Sequence, residues 1–192
     1  MTDRMSIWIA VAGNSLVCAV TFAIRGWNAG SAHAAARNTA RFSMLWFIVG
    51  FGAPGVTRLV RTLPTEARLI QAFLAAHVVH FATVSILIAT FGLAHLWQNP
   101  GRVAAIVLGG FAVVVVAGLT ATPRTSWLYT TVHKFTLYFV FLIFFFVFVH
   151  NAVKPLRFLV VPLGLALIFR LTSNMSLSKL RNKAVGQQVT RS

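Results

Sequence analysis

Six stretches of the chain run almost free of charge, each bracketed by arginine, proline, glycine or asparagine. They extend from about Ser6 to Ile24, Phe42 to Val60, Leu69 to Trp97, Val103 to Thr120, Trp127 to Val153 and Phe158 to Leu171. Most approach or exceed the ~20 residues that carry a helix across a hydrocarbon core. The pattern predicts an all-α, polytopic membrane protein: a six-helix transmembrane bundle over residues 1–172, then a basic cytoplasmic tail over 173–192. No internal repeat and no second domain interrupts it.

Two local patterns invite other readings. Arg4 precedes an apolar stretch and Ala32-His33-Ala34 resembles a signal-cleavage site, but Arg25 and a polar segment separate the two. Gly50-Phe-Gly-Ala-Pro-Gly55 matches the dinucleotide pattern G-x-G-x-x-G. That motif needs a preceding strand, a following helix and a ribose-binding acid about twenty residues on. Here it lies inside an apolar span, so a closely packed helix with a Pro/Gly kink is expected instead.

Composition then removes whole classes of function. Hydrophobic residues make up 58% and charged residues 10%, and the mean hydropathy is +0.80. A soluble surface needs far more charge. The acidic residues are Asp3 and Glu66, both expected in terminal or loop segments, against 17 Lys and Arg. Chemistry by paired carboxylates is excluded, as are the intramembrane acids of many proton-coupled transporters. Cys18, the single cysteine, excludes an internal disulfide, a Cys-ligated Fe–S cluster and a Cys-rich zinc site. The net charge of +15 does not point to nucleic acid, because the basic residues sit at the ends of apolar runs rather than on one polar face.

Those ends give an orientation. Arg4, Arg58, Arg61, Arg68, Arg124, Lys134, Arg170, Lys179, Arg181, Lys183 and Arg191 fall on the side of both termini, 11 in all. Arg25, Arg37, Arg41, Arg102, Lys154 and Arg157, six in all, fall on the other. The positive-inside rule then puts both termini in the cytoplasm, as in a bacterial inner (plasma) membrane.

Histidine carries the candidate chemistry. His33 is expected in a loop; His77, His80 and His95 lie in the third span, and His133 and His150 in the fifth. An imidazole inside a bilayer is costly and marks a candidate site. The two spans run in the same direction, which predicts a cytoplasmic-side pair, His80 with His133, and an outer pair, His95 with His150. Such pairs are a common way to hold low-spin haem by two axial imidazoles. Helical phase fits less well. His77 and His95 share a face about 27 Å apart, whereas His133 and His150 are about 100° out of phase. His77-x-x-His80 is also half of a zinc site, with no carboxylate or thiolate to complete it. The alternative is that these rings only hydrogen-bond neighbouring helices.

Four stretches resemble the ferric-reductase-like transmembrane domain family, and within it the haem-binding membrane subunits of bacterial methionine sulfoxide reductase systems. They are Thr39-Ala-Arg-Phe42, Arg68-Leu-Ile-Gln-Ala-Phe-Leu-Ala-Ala-His-Val-Val-His80, Gly118-Leu-Thr-Ala-Thr122 and Val132-His-Lys-Phe-Thr-Leu-Tyr138. The resemblance implies six helices, b-type haem between the third and the fifth, and electron transfer across the membrane. It places the third-helix ligand on His80 and the first fifth-helix ligand on His133. The family's second fifth-helix histidine falls on Phe146, one turn short of His150, so one haem or two remain open, with His77 as an alternative ligand or a hydrogen-bonder to the haem edge.

The sequence therefore leads to a haem b electron-transfer protein, an oxidoreductase subunit with iron held by His80, His133, His95 and His150. A quinone (as quinol) or a flavin reductase outside the chain is the expected donor. An extracytoplasmic redox partner or ferric iron is the expected acceptor. A haem-free small transporter or assembly factor is the alternative. Gly109, Gly110 and Gly118 are expected to permit close helix approach in the fourth span. Most rings of the Phe139–Phe148 run are expected to face lipid. Arg61, Arg68, Arg124 and Lys134 chiefly signal topology, with one or two available to haem propionates.

Overall fold

A helix in apolar surroundings satisfies its own backbone, and the chain uses little else. The computed structural model describes residues 4–57, 60, 63–92, 100–120, 127–150 and 160–173. Among them are six helices and no strand: α1 (Met5–Arg25), α2 (Ala29–Val56), α3 (Glu66–Phe91), α4 (Pro100–Thr120), α5 (Trp127–His150) and α6 (Val160–Ser173). Three helical segments are long and apolar enough to cross a membrane: α1, α3 and the Tyr129–Phe146 part of α5. The apolar parts of α4 and α6 are shorter. Trp8, Ile24, Phe111, Val114, Phe135 and Phe146 stand exposed on the outside, as side chains do where the surrounding solvent is itself apolar.

The second helix begins 13 residues before the expected Phe42. Asn28 is extended and its Oδ1 accepts from the Ser31 N–H at 2.9 Å, which caps the helix. An alanine-rich run then carries it on. His33 is consequently helical, not in a loop, and Ala32 and Ala34 beside it are buried. Hydropathy missed this half of α2 because it is polar on one side, with Arg37, Asn38 and Arg41. Gly26 ends α1 at φ +73°, its N–H returning to the Phe22 carbonyl at 2.9 Å. Gly92 ends α3 in the same way at φ +79°, short of the expected Trp97.

Helices α1, α2 and α3 pack on one another, and α4 packs on α5. One core joins them, built from Met44, Phe47 and Phe51 of α2, Ile70 and Phe73 of α3, Ala112 and Val116 of α4, Leu137 and Phe144 of α5, and Leu163 and Ala166 of α6. The glycines of the G-x-G-x-x-G stretch bring the helices this close. A Cβ on Gly50 would sit 3.0 Å from Ile70 Cδ1, and one on Gly52 3.3 Å from Ala166 Cα. A Cβ on Gly55 would overlap the backbone of Phe169. This is close helix packing, as the sequence suggested. The fourth-span glycines differ from expectation: Gly109 and Gly118 face open space, and Gly110 meets only Phe81 at 3.8 Å. In the Phe-rich run Phe141 and Phe144 are core residues, whereas Phe146 is exposed.

The contrast is measurable. Gly55→Ala must push α6 away and should cost about 1–3 kcal/mol. Gly164→Ala meets nothing within 4 Å and should be neutral or gain up to ~1 kcal/mol of helix propensity. The unfolding temperature in detergent should therefore fall for Gly55→Ala and hold or rise for Gly164→Ala.

Candidate functional site

Two imidazoles of α3 meet two hydroxyls of α2. His77, 6% exposed, has its Nδ1 2.8 Å from Ser43 Oγ. His80 has its Nδ1 3.1 Å from Thr39 Oγ1. The helices are antiparallel, so the i,i+4 spacing of Thr39 and Ser43 meets the i,i+3 spacing of the histidines. The hydrogens decide the chemistry. Ser43 Oγ–H donates to the Ala40 carbonyl at 2.9 Å. Thr39 Oγ1–H is shared between the Ala35 and Ala36 carbonyls at 2.8 and 3.0 Å. Each hydroxyl has one hydrogen and has spent it on its own helix. With that hydrogen on its own helix, each oxygen accepts and each imidazole donates from Nδ1; in the other tautomer the hydroxyl would donate to Nδ1 instead. In the Nδ1–H tautomer Nε2 carries the lone pair, the form in which histidine binds a metal with its other nitrogen anchored.

The two rings lie 5.0 Å apart, centroid to centroid. Aromatic rings surround them: Phe81 at 4.9 Å and Phe73 at 5.1 Å from His77, and Phe144 of α5 at 6.3 Å. Helix α1 adds polar contacts at the same level. Fully buried Asn14 donates from Nδ2 to the Ala76 carbonyl at 2.6 Å, and Thr83 Oγ1 lies 3.6 Å from Cys18 Sγ.

His133 lies elsewhere. Its Nε2 is 3.9 Å from Glu66 Oε1, and Tyr129 stacks on it at 5.2 Å, nearly parallel at 8°. Glu66 opens α3, and His80 follows it by 14 residues, a rise of about 21 Å. Two axial nitrogens on one iron stand only ~4 Å apart, twice an ordinary metal–nitrogen bond. The expected pair His80–His133 is thus not assembled: the two spans are offset by about four turns relative to the depth assignment made from sequence. Their register follows two contacts, Glu66 with His133 and His77 with Phe144. Continued along α5, it brings position 150 level with residue 83, within about 5 Å in depth of His80. The side chain of His150 lies outside the described residues, and so does the whole of His95.

Glu66 is a helical residue with a partner rather than a loop acid. Arg170 of α6, 5% exposed, donates from Nη1 to Glu66 Oε1 at 2.7 Å and lies 3.3 Å from the Phe51 carbonyl oxygen. Its guanidinium also stands 5.3 Å from the centre of the Phe51 ring. This ion pair joins α3, α6 and α2 at one end of the bundle. Arg68 bonds Gln71 at 3.3 Å, while Arg61 and Arg124 lie outside the described residues. The sequence reading missed Arg170 because it counted the residue as a topology signal. It missed Ser43 and Thr39 because small hydroxyl residues in a helix are usually silent; their spacing opposite His77 and His80 was the available sign.

A haem iron takes an axial imidazole through a nitrogen with a free lone pair. The Nε2 lone pairs of His77 and His80, held from behind by hydroxyls, suit an axial ligand. His133 at the level of Glu66 does not complete that site. No cluster of three or more His, Cys, Asp or Glu side chains is found among the described residues. Comparisons with family models, curated proteins and solved structures find no match to this chain.

The tautomer is directly observable. In protein labelled with 15N-histidine, His77 and His80 should both show Nδ1–H resonances with unprotonated Nε2. Ser43→Ala should release only His77 into a tautomer mixture. An Nε2–H signal for both rings in the unaltered protein would refute the assignment.

Proposed function

We propose that the chain is a multi-pass membrane protein that holds b-type haem through an α3 imidazole and passes electrons across the bilayer. The resemblance to the ferric-reductase-like transmembrane domain family motivates this reading. The observation that carries it is the pair of α3 imidazoles whose Nδ1 meets Ser43 Oγ or Thr39 Oγ1; with Nδ1 as the donor, Nε2 is left to coordinate. Bound haem would supply one-electron chemistry. The protein would supply the axial nitrogen, the hydroxyls that orient it and an aromatic wall of Phe73, Phe81 and Phe144. The α3 ligand is His80 by family pattern, with His77 beside it. On α5 the level of this pair favours His150 over His133. The donor is a quinol or a separate flavin reductase, and the acceptor an extracytoplasmic partner protein or ferric iron. The membrane is the bacterial inner membrane, with both termini cytoplasmic.

A second reading draws on Phe144. Its ring contacts the His77, Phe73 and Phe47 rings at 6.3, 6.0 and 5.4 Å, so α3 and α5 meet through packed aromatics. In a haem-free transporter or assembly factor the two histidines would simply bind α2 to α3.

A reduced-minus-oxidised spectrum of the protein purified after expression with ample haem separates these readings. A b-type spectrum is expected, with haem extractable by acid–acetone because no Cys-x-x-Cys-His is present. His80→Ala or His77→Ala should strongly reduce haem per protein, and His133→Ala should leave most of it. Loss in His133→Ala equal to that in His80→Ala would restore the pairing read from sequence. No haem in the unaltered protein would end the electron-transfer reading.

Topology is tested separately. Reporters fused after Ser192 and within the Asn99–Gly101 segment should report cytoplasm and exterior respectively. The opposite result would invert the bundle.

A further inference from the structure

Arg37 and Arg41 stand one helical turn apart on α2, at the level of the buried histidines. Thr39 meets His80 and Ser43 meets His77, so Arg41 lies between those levels and Arg37 one turn beyond it. At this height α1 presents Val17, Cys18, Ala19 and Val20, because Cys18 meets Thr83 and Thr21 meets Asn38. Two cations are therefore set beside an apolar belt, where an uncompensated charge is costly.

No acidic side chain among the described residues neutralises them. The sequence has two acidic residues. Asp3 lies outside the described residues. Glu66 is bound by Arg170 and lies 11 residues below His77 on α3, about 16 Å along the axis. Arg41 is nevertheless held in place. Its Nη1 lies 3.4 Å from Asn38 Oδ1, and Asn38 Nδ2 lies 3.4 Å from Thr21 Oγ1 on α1. Its Nε is buried and has no hydrogen-bond partner. A guanidinium fixed on one side, with an unused buried N–H and a second guanidinium one turn away, is a fork for a bidentate oxyanion.

We propose that Arg37 and Arg41 bind the phosphodiester of an anionic phospholipid, whose acyl chains lie along the exposed Leu45 and Val49 further down α2. The exposure of those two side chains, 45% and 44%, supplies the apolar track. Long arginine side chains reach up toward the headgroup layer, and a phosphate is the anion that a bilayer offers there. The proposal rests on the membrane placement of the bundle and not on haem, so a failed haem spectrum leaves it standing.

The test uses the full chain in nanodiscs of phosphatidylcholine, with and without phosphatidylglycerol. The anionic lipid should raise the Tm of the unaltered protein by about 2–4 °C, the shift of a ~1 kcal/mol linkage in a chain of this size. Arg37→Gln/Arg41→Gln should lose that rise. Arg25→Gln, which removes the same kind of charge at the end of α1, should keep it. Inorganic phosphate added to the detergent-solubilised protein should give little shift. An equal response in the Arg37/Arg41 double variant, or an equal shift with inorganic phosphate, would overturn the lipid assignment. If the double variant fails to fold, native mass spectrometry of the unaltered protein decides: phosphatidylglycerol must be retained in preference to phosphatidylcholine, and equal retention overturns the proposal.

Discussion

A Cβ at position 55 would overlap the backbone of Phe169, so α6 reaches its seat only because residue 55 has none. The same holds less severely at Gly50 against α3 and at Gly52 against α6. In lipid the hydrophobic effect gives helices little reason to associate, and close van der Waals contact does that work. Helix α2 can touch two neighbours along one stretch because three glycines remove the side chains that would hold them apart. Every polar contact of interest follows from that approach. Arg170 can reach Glu66 only if α6 lies against α2. Ser43 and Thr39 can reach His77 and His80 only if α2 and α3 are held side by side.

Polar groups in such a bundle settle into pairs, and the pairs differ in what they leave over. The Glu66–Arg170 contact is charge against charge, and it uses one of the two carboxylates in the sequence. The hydroxyl–imidazole contacts engage Nδ1 of each ring and leave Nε2 of each outside them. A site suited to coordination thus arises from ordinary hydrogen-bond accounting, without a carboxylate near it.

Much of the helical architecture was legible in the sequence. The apolar runs marked six helices, and Gly50, Gly52 and Gly55 were readable as packing rather than nucleotide chemistry. Hydropathy could not show the first half of α2, because Asn28 and an alanine run form a helix without being strongly apolar. The histidines were visible, but their partners were not. Depth was counted from the ends of the spans as if the two helices started level, whereas Glu66, the first residue of α3, meets His133, six residues into α5. The Phe73, Phe144 and His77 contacts fix the register from inside the bundle, and there His133 falls beside Glu66.

Between the Glu66–Arg170–His133 cluster and the His77–His80 pair lies a column of Phe47, Phe51, Phe73, Phe141 and Phe144, with successive ring centres 5.0–6.0 Å apart. A proton moves along an unbroken chain of hydrogen-bond donors and acceptors, and phenyl rings have neither. These five rings therefore offer a proton no path of their own over the roughly 16 Å between the two levels. An electron needs no such chain, since it tunnels through packed matter. If the proposed electron transfer uses this column, any accompanying protons must move by a route other than these five rings.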